Sequence, residues 1–335
     1  MAANIHDVAR LAGVSPRTVS NVVNDFVHVR PGTRTRVQAA IEELGYRPNI
    51  SARRLRQGKT RILALAVPEL SQPYFSELSE LIERAAQAQG YTVMAAQTGG
   101  AREREIGILR EFGSHVVDGL ILSPMSMQAT DLRENQPTVP MVLIGEQIFS
   151  EAFVDIAIDN VRAVQDVTAH LISTGRTRIA ALGAYSEPGY RSADLRLEGY
   201  RAALEQAGLP FNPELVLYTD QYSRSAGRAA VLHAAEAGLE FDAIVCFNDV
   251  LALGALRALA DLGVAVPGRV AVTGMDDIED SAFCVPSLTT ISPDKEAIAT
   301  NAVTRLLELI DDPDAAASDI MPAHRLVVRE SSAPA

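Results

Sequence analysis

The sequence predicts an all-α headpiece of three short helices followed by an α/β core of two lobes. Three observations lead there. Apolar residues recur at helical spacing in three short blocks before Gly45, and from Ile62 onward short apolar runs alternate with helix-length segments in two successive series. The charge also divides sharply between these two regions.

In the headpiece, Ile5, Val8, Ala9 and Ala12 fall on one side of a first helix, and Gly13 stands where a left-handed cap would end it near Ala12. Ser15 and Pro16 then read as a helix start: the hydroxyl accepts an orphaned N–H, and proline lacks the donor that would go unused. Val19, Val22, Val23 and Phe26 give this second helix its buried face, which turns Arg17, Ser20, Asn21 and Asn24 outward. A third helix, from about Thr33 to Leu44, places Val37, Ala40, Ile41 and Leu44 inward and closes at Gly45. Three such helices can share one small core.

The arginine-rich segment PNISARRLRQGK follows. Asn49 or Ser51 can cap a helix running to about Gln57, but so short a helix is marginal in water because its nucleus is costly, so it is expected to be disordered when free. Leu55 among Arg53, Arg54 and Arg56 is odd for a plain linker. Residues 1–59 hold ten Lys/Arg against four Asp/Glu, a charge of +6, whereas residues 60–335 hold 20 against 38, a charge of −18, which together give the −12 of the chain. Only the headpiece is built for a polyanion, and neutralising phosphates needs only that local positive surface. A merely solvated basic tail would not carry three periodic apolar faces.

In the core, ILALAV, YTVMAA, GLILS and MVLIG form the first series of apolar runs, with a helical pattern such as Phe75, Leu78, Ile82 and Ala85 between them. RIAALG, LVLY, AIVCF and VAVTGM form a second series after Asp159. This alternation implies parallel sheets covered on both faces. Ligands of open α/β sheets gather beyond the carboxyl ends of the strands. That rule brings Tyr74 and Phe75, Glu146 and Gln147, Tyr185 to Arg191, Asn248 and Asp249, and Asp276 and Asp277 to one cleft. Aromatic rings beside forked polar groups suit a small polyhydroxylated ligand.

The stretch IHDVARLAGVSPRTVSNVVN, its continuation GYRPNISARRLRQGKT and the late LVVRESS resemble the lactose-repressor and galactose-repressor family of bacterial transcription regulators. The resemblance implies a helix-turn-helix headpiece and a two-lobed core like the periplasmic binding proteins. It implies that the second helix lies in the major groove, with Pro16, Arg17 and Asn21 at base-reading positions and Ser15, Thr18, Ser20 and Asn24 beside them on the recognition helix. Arginine can grip guanine and asparagine adenine in bidentate fashion, whereas Pro16 offers only apolar contact. It further implies a hinge helix in the minor groove, formed by Ser51, Ala52, Arg53, Arg54, Leu55 and Arg56, with Leu55 wedged between base pairs.

The implied partners are double-stranded operator DNA with an inverted repeat and a central CG step, a second copy of the chain, and a small-molecule effector. The implied effector-binding residues are Tyr74, Phe75, Glu146, Arg196, Tyr222, Asn248 and Asp276. A sugar is the first expectation, and a purine or other metabolite the second. Two departures bear on this: Lys295 stands near a position where sugar-sensing relatives place an aromatic, and Glu146 adds a carboxylate. Purely structural roles compete at some positions, since Arg196 could pair with a neighbouring carboxylate and either Asp276 or Asp277 could cap the next helix. The expected division is 1–48 headpiece, 49–60 hinge and 61–335 core, with one lobe at about 61–159 and 290–320 and the other at about 160–289 and 321–330.

Catalysis finds little support, because the chain has no P-loop, nucleophile elbow, dinucleotide fingerprint or metalloprotease helix. His6, His28, His115, His170, His233 and His324 are scattered without metal-ligand spacing, and Cys246 and Cys284 suit reduced thiols. No cofactor and no metal are expected. A solute-binding protein is the competing class, but it would need an export signal, and no apolar run is long enough to span a bilayer. Without either, a cytoplasmic protein is expected; an inverted repeat demands a homodimer, and the ending VVRESSAPA shows no heptad extension of the kind that makes some relatives tetramers.

Overall fold

In the computed structural model, which describes residues 3–23, 26–46, 59–112, 116–145, 153–186, 189–315 and 318–333, helix α1 spans Ile5–Ala12. Asn4 Oδ1 accepts the N–H groups of His6 and Asp7, and Asp7 returns to the Asn4 N–H, so a capping box starts the helix. Gly13 ends it at φ +67°, in the left-handed region where a Cβ is penalised. Helix α2 spans Pro16–Val23, and Ser15 Oγ accepts the Thr18 N–H at 3.2 Å, the cap that the Ser-Pro pair predicts. Helix α3 spans Pro31–Leu44, starting earlier than the expected Thr33 because Pro31 takes the first helical position.

Val8, Ala9, Ala12, Val19, Val22, Val37 and Ala40 form the buried core of this unit. Phe26 does not join it. It lies beyond the last described residue of α2, is exposed, and meets the His28 ring edge-on at 5.5 Å. The expected hinge residues Ser51, Ala52, Arg53, Arg54, Leu55 and Arg56, together with Asn24 and Glu146, lie outside the described residues.

The chain divides into two units, Met1–Thr60 and Arg61–Ala335. The second contains two sheets. The first is built from β1 (Ile62–Val67), β2 (Thr92–Gln97), β3 (Gly119–Leu122), β4 (Met141–Ile144) and β5 (Val154–Ile156), all parallel in the order β2-β1-β3-β4-β5. Its helices are α4 (Pro73–Ala88), α5 (Arg102–Glu111) and α6 (Ala129–Glu134). Alternation along β1 sends Leu63, Leu65 and Val67 to one apolar cluster and Ala64 and Ala66 to another, so both faces are covered.

The second sheet is built from β6 (Ile179–Ala184), β7 (Val216–Tyr218), β8 (Ala243–Cys246), β9 (Ala271–Met275), β10 (Thr289–Pro293) and β11 (His324–Val327), in the order β11-β10-β9-β8-β6-β7. Among the described strands only β11 runs antiparallel to its neighbour. Helices α7 (Asn160–Ser173), α8 (Arg191–Gln206), α9 (Arg224–Glu236), α10 (Asp249–Asp261) and α11 (Glu279–Phe283) belong to this lobe. Helices α9 and α10 touch backbone to backbone at Gly254, where an added Cβ would stand 2.1 Å from the Arg224 carbonyl oxygen.

The expected lobe division is corrected at residues 290–293. These belong to β10, which pairs with β9 and β11 in the second sheet. Only the next helix, α12 (Lys295–Asp311), returns to the first lobe, where it packs on α4, β3, β4 and β5. Ile320 then bridges Ile156 beside the first sheet before β11 completes the second. Among the described residues the chain therefore crosses between lobes three times, at 157–159, 293–295 and 320–324.

Candidate functional site

Two surfaces carry the candidate chemistry, one in each unit. In the first, Val19 and Val22 bury one side of α2, and Arg17 and Asn21 stand one turn apart on the other. Arg17 is exposed, while Pro16, Thr18, Ser20 and Asn21 are partly exposed along the same helix. The helical period thus separates packing residues from forked hydrogen-bonding residues.

In the second unit a cavity of about 310 Å³ opens at the carboxyl ends of both sheets' strands. Tyr74 and Phe75 reach it from the first turn of α4, Arg196 from α8, Tyr222 from the segment after β7, Asn248 from the cap of α10 and Asp276 from the end of β9. Six of the seven expected effector residues are therefore brought together, and Glu146 is the one outside the described residues. One wall is aromatic. The rings of Tyr185 and Tyr190 stack at 3.8 Å with planes 12° apart, Tyr222 lies 5.4 Å from Tyr185, and Tyr74 meets Phe75 edge-on at 5.3 Å.

The polar wall is preorganised. Arg196 donates from Nε to Asn160 Oδ1 at 2.9 Å and from Nη1 to the Phe247 carbonyl at 2.6 Å. Among the described residues these neutral acceptors hold the guanidinium, and its charge acts on the neighbouring Asp276 carboxyl. Asn248 Oδ1 accepts the Leu251 N–H at 3.0 Å, so its remaining polar group toward a ligand is the Nδ2 donor pair. Burial pushes the Asp276 carboxyl up, Arg196 pulls it back, and the nearby Asp249 charge adds to the rise.

Behind this wall, the fully buried Asp249 accepts from Thr290 Oγ1 at 2.6 Å, Ser281 Oγ at 2.7 Å and the Ile278 N–H at 3.1 Å. Burial raises its carboxyl despite those bonds. A Cβ at Gly274 would fall 2.1 Å from Asp249 Oδ1, so only glycine fits there.

Neither Asp276 nor Asp277 caps the following helix, contrary to expectation. The cap position of α11 is Ile278, and Asp249 takes its N–H. Instead the two aspartates occupy the left-handed region in succession, at φ +119° and +48°. Such residues cost on the order of 1–3 kcal/mol each and persist only where the surroundings over-determine them. Burial raises the Asp277 carboxyl, but hydrogen bonds from Arg329 and Ser292 outweigh it and bring it below the usual range. Lys295 does not line the cavity; it pairs with Glu77 and donates to the Asp277 carbonyl at 2.9 Å.

Sequence reasoning missed two supports. Asn160 was hidden because it follows β5, a strand of three residues that no pattern announced. Glu105 on α5 is buried and accepts the N–H groups of Met125 at 2.7 Å, Ser126 at 3.2 Å and Met127 at 2.8 Å, fixing the segment after β3 that puts Met125 on the cavity wall. Burial pushes its carboxyl up, against those backbone donors. Among the described residues, no cluster of three His, Cys, Asp or Glu could hold a metal ion, and no helix is long and apolar enough to cross a membrane.

Comparison with known proteins bears on both surfaces. Residues 4–49 match the bacterial regulatory proteins of the lacI family, and residues 168–332 match a periplasmic binding protein-like domain. The chain is 36% identical over 315 residues to the HTH-type transcriptional repressor PurR of Aliivibrio fischeri, covering 93% of each. It is 34% identical over 314 residues to the ribose operon repressor of Escherichia coli K12, covering 93% of this chain and 94% of that one. Among solved structures, the lac repressor dimer bound to operator and the anti-inducer ONPF is similar with a TM-score of 0.89 and 27% identity, over 99% of each chain.

Proposed function

This chain belongs to the lacI family of bacterial regulatory proteins, and from that membership we propose that it is a homodimeric repressor of sugar-utilisation genes. It is a DNA-binding transcriptional regulator with a periplasmic binding protein-like effector domain. The finer reading assigns base recognition to Pro16, Arg17 and Asn21, with Ser15, Thr18, Ser20 and Asn24 on the DNA backbone side. Ser51, Ala52, Arg53, Arg54, Leu55 and Arg56 enter the minor groove at the centre of an inverted repeat with a CG step.

The observation that carries the effector reading is the pairing of an aromatic wall with Arg196, Asn248 and Asp276 around one cavity. Rings cover the apolar face of a pyranose or furanose while the forked polar groups pair with its hydroxyls. A purine is the second reading, favoured by the flat Tyr185–Tyr190 stack and by the likeness to the PurR repressor. Dimerisation is supported by large apolar side chains left in solvent, Phe283 at 78% and Val285 at 93% exposure, next to the two-fold demand of an inverted repeat.

The effector acts only through different affinities for two lobe arrangements, and a switch from mostly bound to mostly released DNA requires several kcal/mol of difference. Selection of random duplexes by the purified protein, with and without a panel of sugars and purines, tests the whole reading. Enrichment of an inverted repeat that one class of compound abolishes supports it, and enrichment that only a purine induces would select the second reading.

A further inference from the structure

Asp276 presents its carboxylate to the cavity from a backbone conformation that an aspartate does not adopt unaided, and it is followed by a second residue of the same kind. The Asp276 N–H is fixed to the Ile291 carbonyl at 2.9 Å, and the Asp277 side chain accepts a hydrogen bond from Ser292 on the neighbouring strand. The charged groups on Asp277 come from farther along the chain. Arg329 donates from Nη2 to Asp277 Oδ1 at 2.7 Å and from Nη1 to the Leu288 carbonyl at 2.8 Å, and Arg325 approaches the other oxygen at 3.7 Å. Lys295 holds the Asp277 carbonyl at 2.9 Å.

Arg329 is itself immobilised. Its N–H donates to Thr289 Oγ1 at 2.8 Å, and its carbonyl accepts from the same hydroxyl at 3.0 Å. The neighbouring Glu330 accepts from the Ser287 N–H at 2.8 Å, and Ser331 Oγ donates to the Val272 carbonyl at 2.6 Å while accepting the Thr289 N–H at 2.8 Å. The guanidinium therefore spans two fixed acceptors, the half-buried Asp277 carboxylate and the Leu288 carbonyl, so that its planar geometry as well as its charge acts on the turn.

We infer that Arg329 is a positioning residue for the effector site: by gripping Asp277 it holds the strained Asp276–Asp277 turn that aims the Asp276 carboxylate into the cavity. The inference rests on the reading of Asp276 as an effector ligand. It gives the late RESS sequence a role in ligand binding although no residue of it lines the cavity. Because Lys295 ends the second crossing between lobes and Arg325 and Arg329 follow the third, the turn is held from the segments that join the lobes.

The test uses the full chain and three variants: Arg329→Met, Arg329→Lys and the double variant Arg329→Met with Asp277→Gly. Crystal structures read the φ angles at 276 and 277, and calorimetry reads binding of D-ribose and cellobiose. In Arg329→Met both angles are expected to leave the positive region, with at least tenfold weaker binding of whichever sugar the parent takes. Glycine adopts the left-handed conformation without a Cβ penalty, so the double variant is expected to recover the turn and most of the affinity, which a residue needed only for folding would not allow. Arg329→Lys, which keeps the charge but not the fork, falls between and serves where Arg329→Met does not fold. An unchanged turn in Arg329→Met, or no recovery in a folded double variant, overturns the inference. If the parent binds neither sugar, adenine and guanine take their place as probes of the second effector reading, and the two φ angles decide the role of Arg329 in either case.

Discussion

Replacing Asp249 tests how the cavity is supported from behind. Asp249→Ala removes the acceptor of three buried donors: Thr290 Oγ1, Ser281 Oγ and the Ile278 N–H. Thr290 has a substitute, because the Ile291 carbonyl already lies 3.3 Å from its hydroxyl. Ser281 and Ile278 have none comparable, and both are buried. Two orphaned donors at about 1–3 kcal/mol each, with a few tenths for the lost acid at the start of α10, give about 4 kcal/mol. For a unit of this size that is roughly 10 °C in melting temperature.

Asp249→Asn behaves differently. Its amide oxygen can serve Ser281 and Ile278 while its NH₂ faces Thr290, whose hydroxyl turns to Ile291, so the loss is about 1 kcal/mol or less. Urea unfolding of the three proteins at pH 4, where the protonation linkage of the buried carboxyl contributes little, measures both differences. An alanine variant within about 1 kcal/mol of the parent, or an asparagine variant as damaged as the alanine one, would refute this hydrogen-bond account.

Three further outcomes are expected. Arg17→Ala should cost about 1–3 kcal/mol and relax preference at one base pair of each half-site, whereas Arg54→Ala should weaken binding to every sequence and reduce the salt slope by about one; titrations against single-base operator variants at several salt concentrations separate the two, and a uniform loss for Arg17→Ala contradicts base reading. Burial raises the carboxyls of Asp249 to about 7 and of Asp276 to about 8, so the stability linked to their protonation is fully present below the unfolded carboxylate pKa, near 4, and is lost as pH rises through those values. Melting temperatures of the parent and Asp276→Asn should therefore coincide most closely in acid and diverge in favour of the variant above pH 8, and parallel curves would deny the shift. Glu105→Ala leaves the N–H groups of Met125, Ser126 and Met127 without their carboxylate, which should cost about 3 kcal/mol and weaken effector binding, while Glu105→Gln should keep most of both; equal damage in the two variants would show that the loop does not depend on the acceptor.

The parts legible in the sequence were those whose local signals agree with their tertiary role. Pro16 and Gly13 announce helix ends by backbone chemistry alone, and β1, β3, β4 and β8 are apolar because both faces of a parallel sheet are covered. The strand-end rule found the aromatic and carboxylate members of the cavity for the same reason. What stayed hidden depends on contacts across long separations. Strand β5 has three residues, and β11 is partly exposed and pairs with a strand more than thirty residues before it. Phe26 carried a helical period past the end of α2, and the paired aspartates invited a cap reading because the grip of Arg329 comes from fifty-two residues away.

The three crossings between lobes set how this architecture can be recombined. Reader and core meet at one junction, near Thr60, so a single break in the gene could graft this headpiece onto another core or bring a new headpiece here. The two lobes offer no such junction. Separating them would require cuts at 157–159, 293–295 and 320–324 together, because α12 lies with the first lobe and β11 with the second. Operator choice can thus change by exchange of a block, whereas ligand choice has to change residue by residue within a core inherited whole.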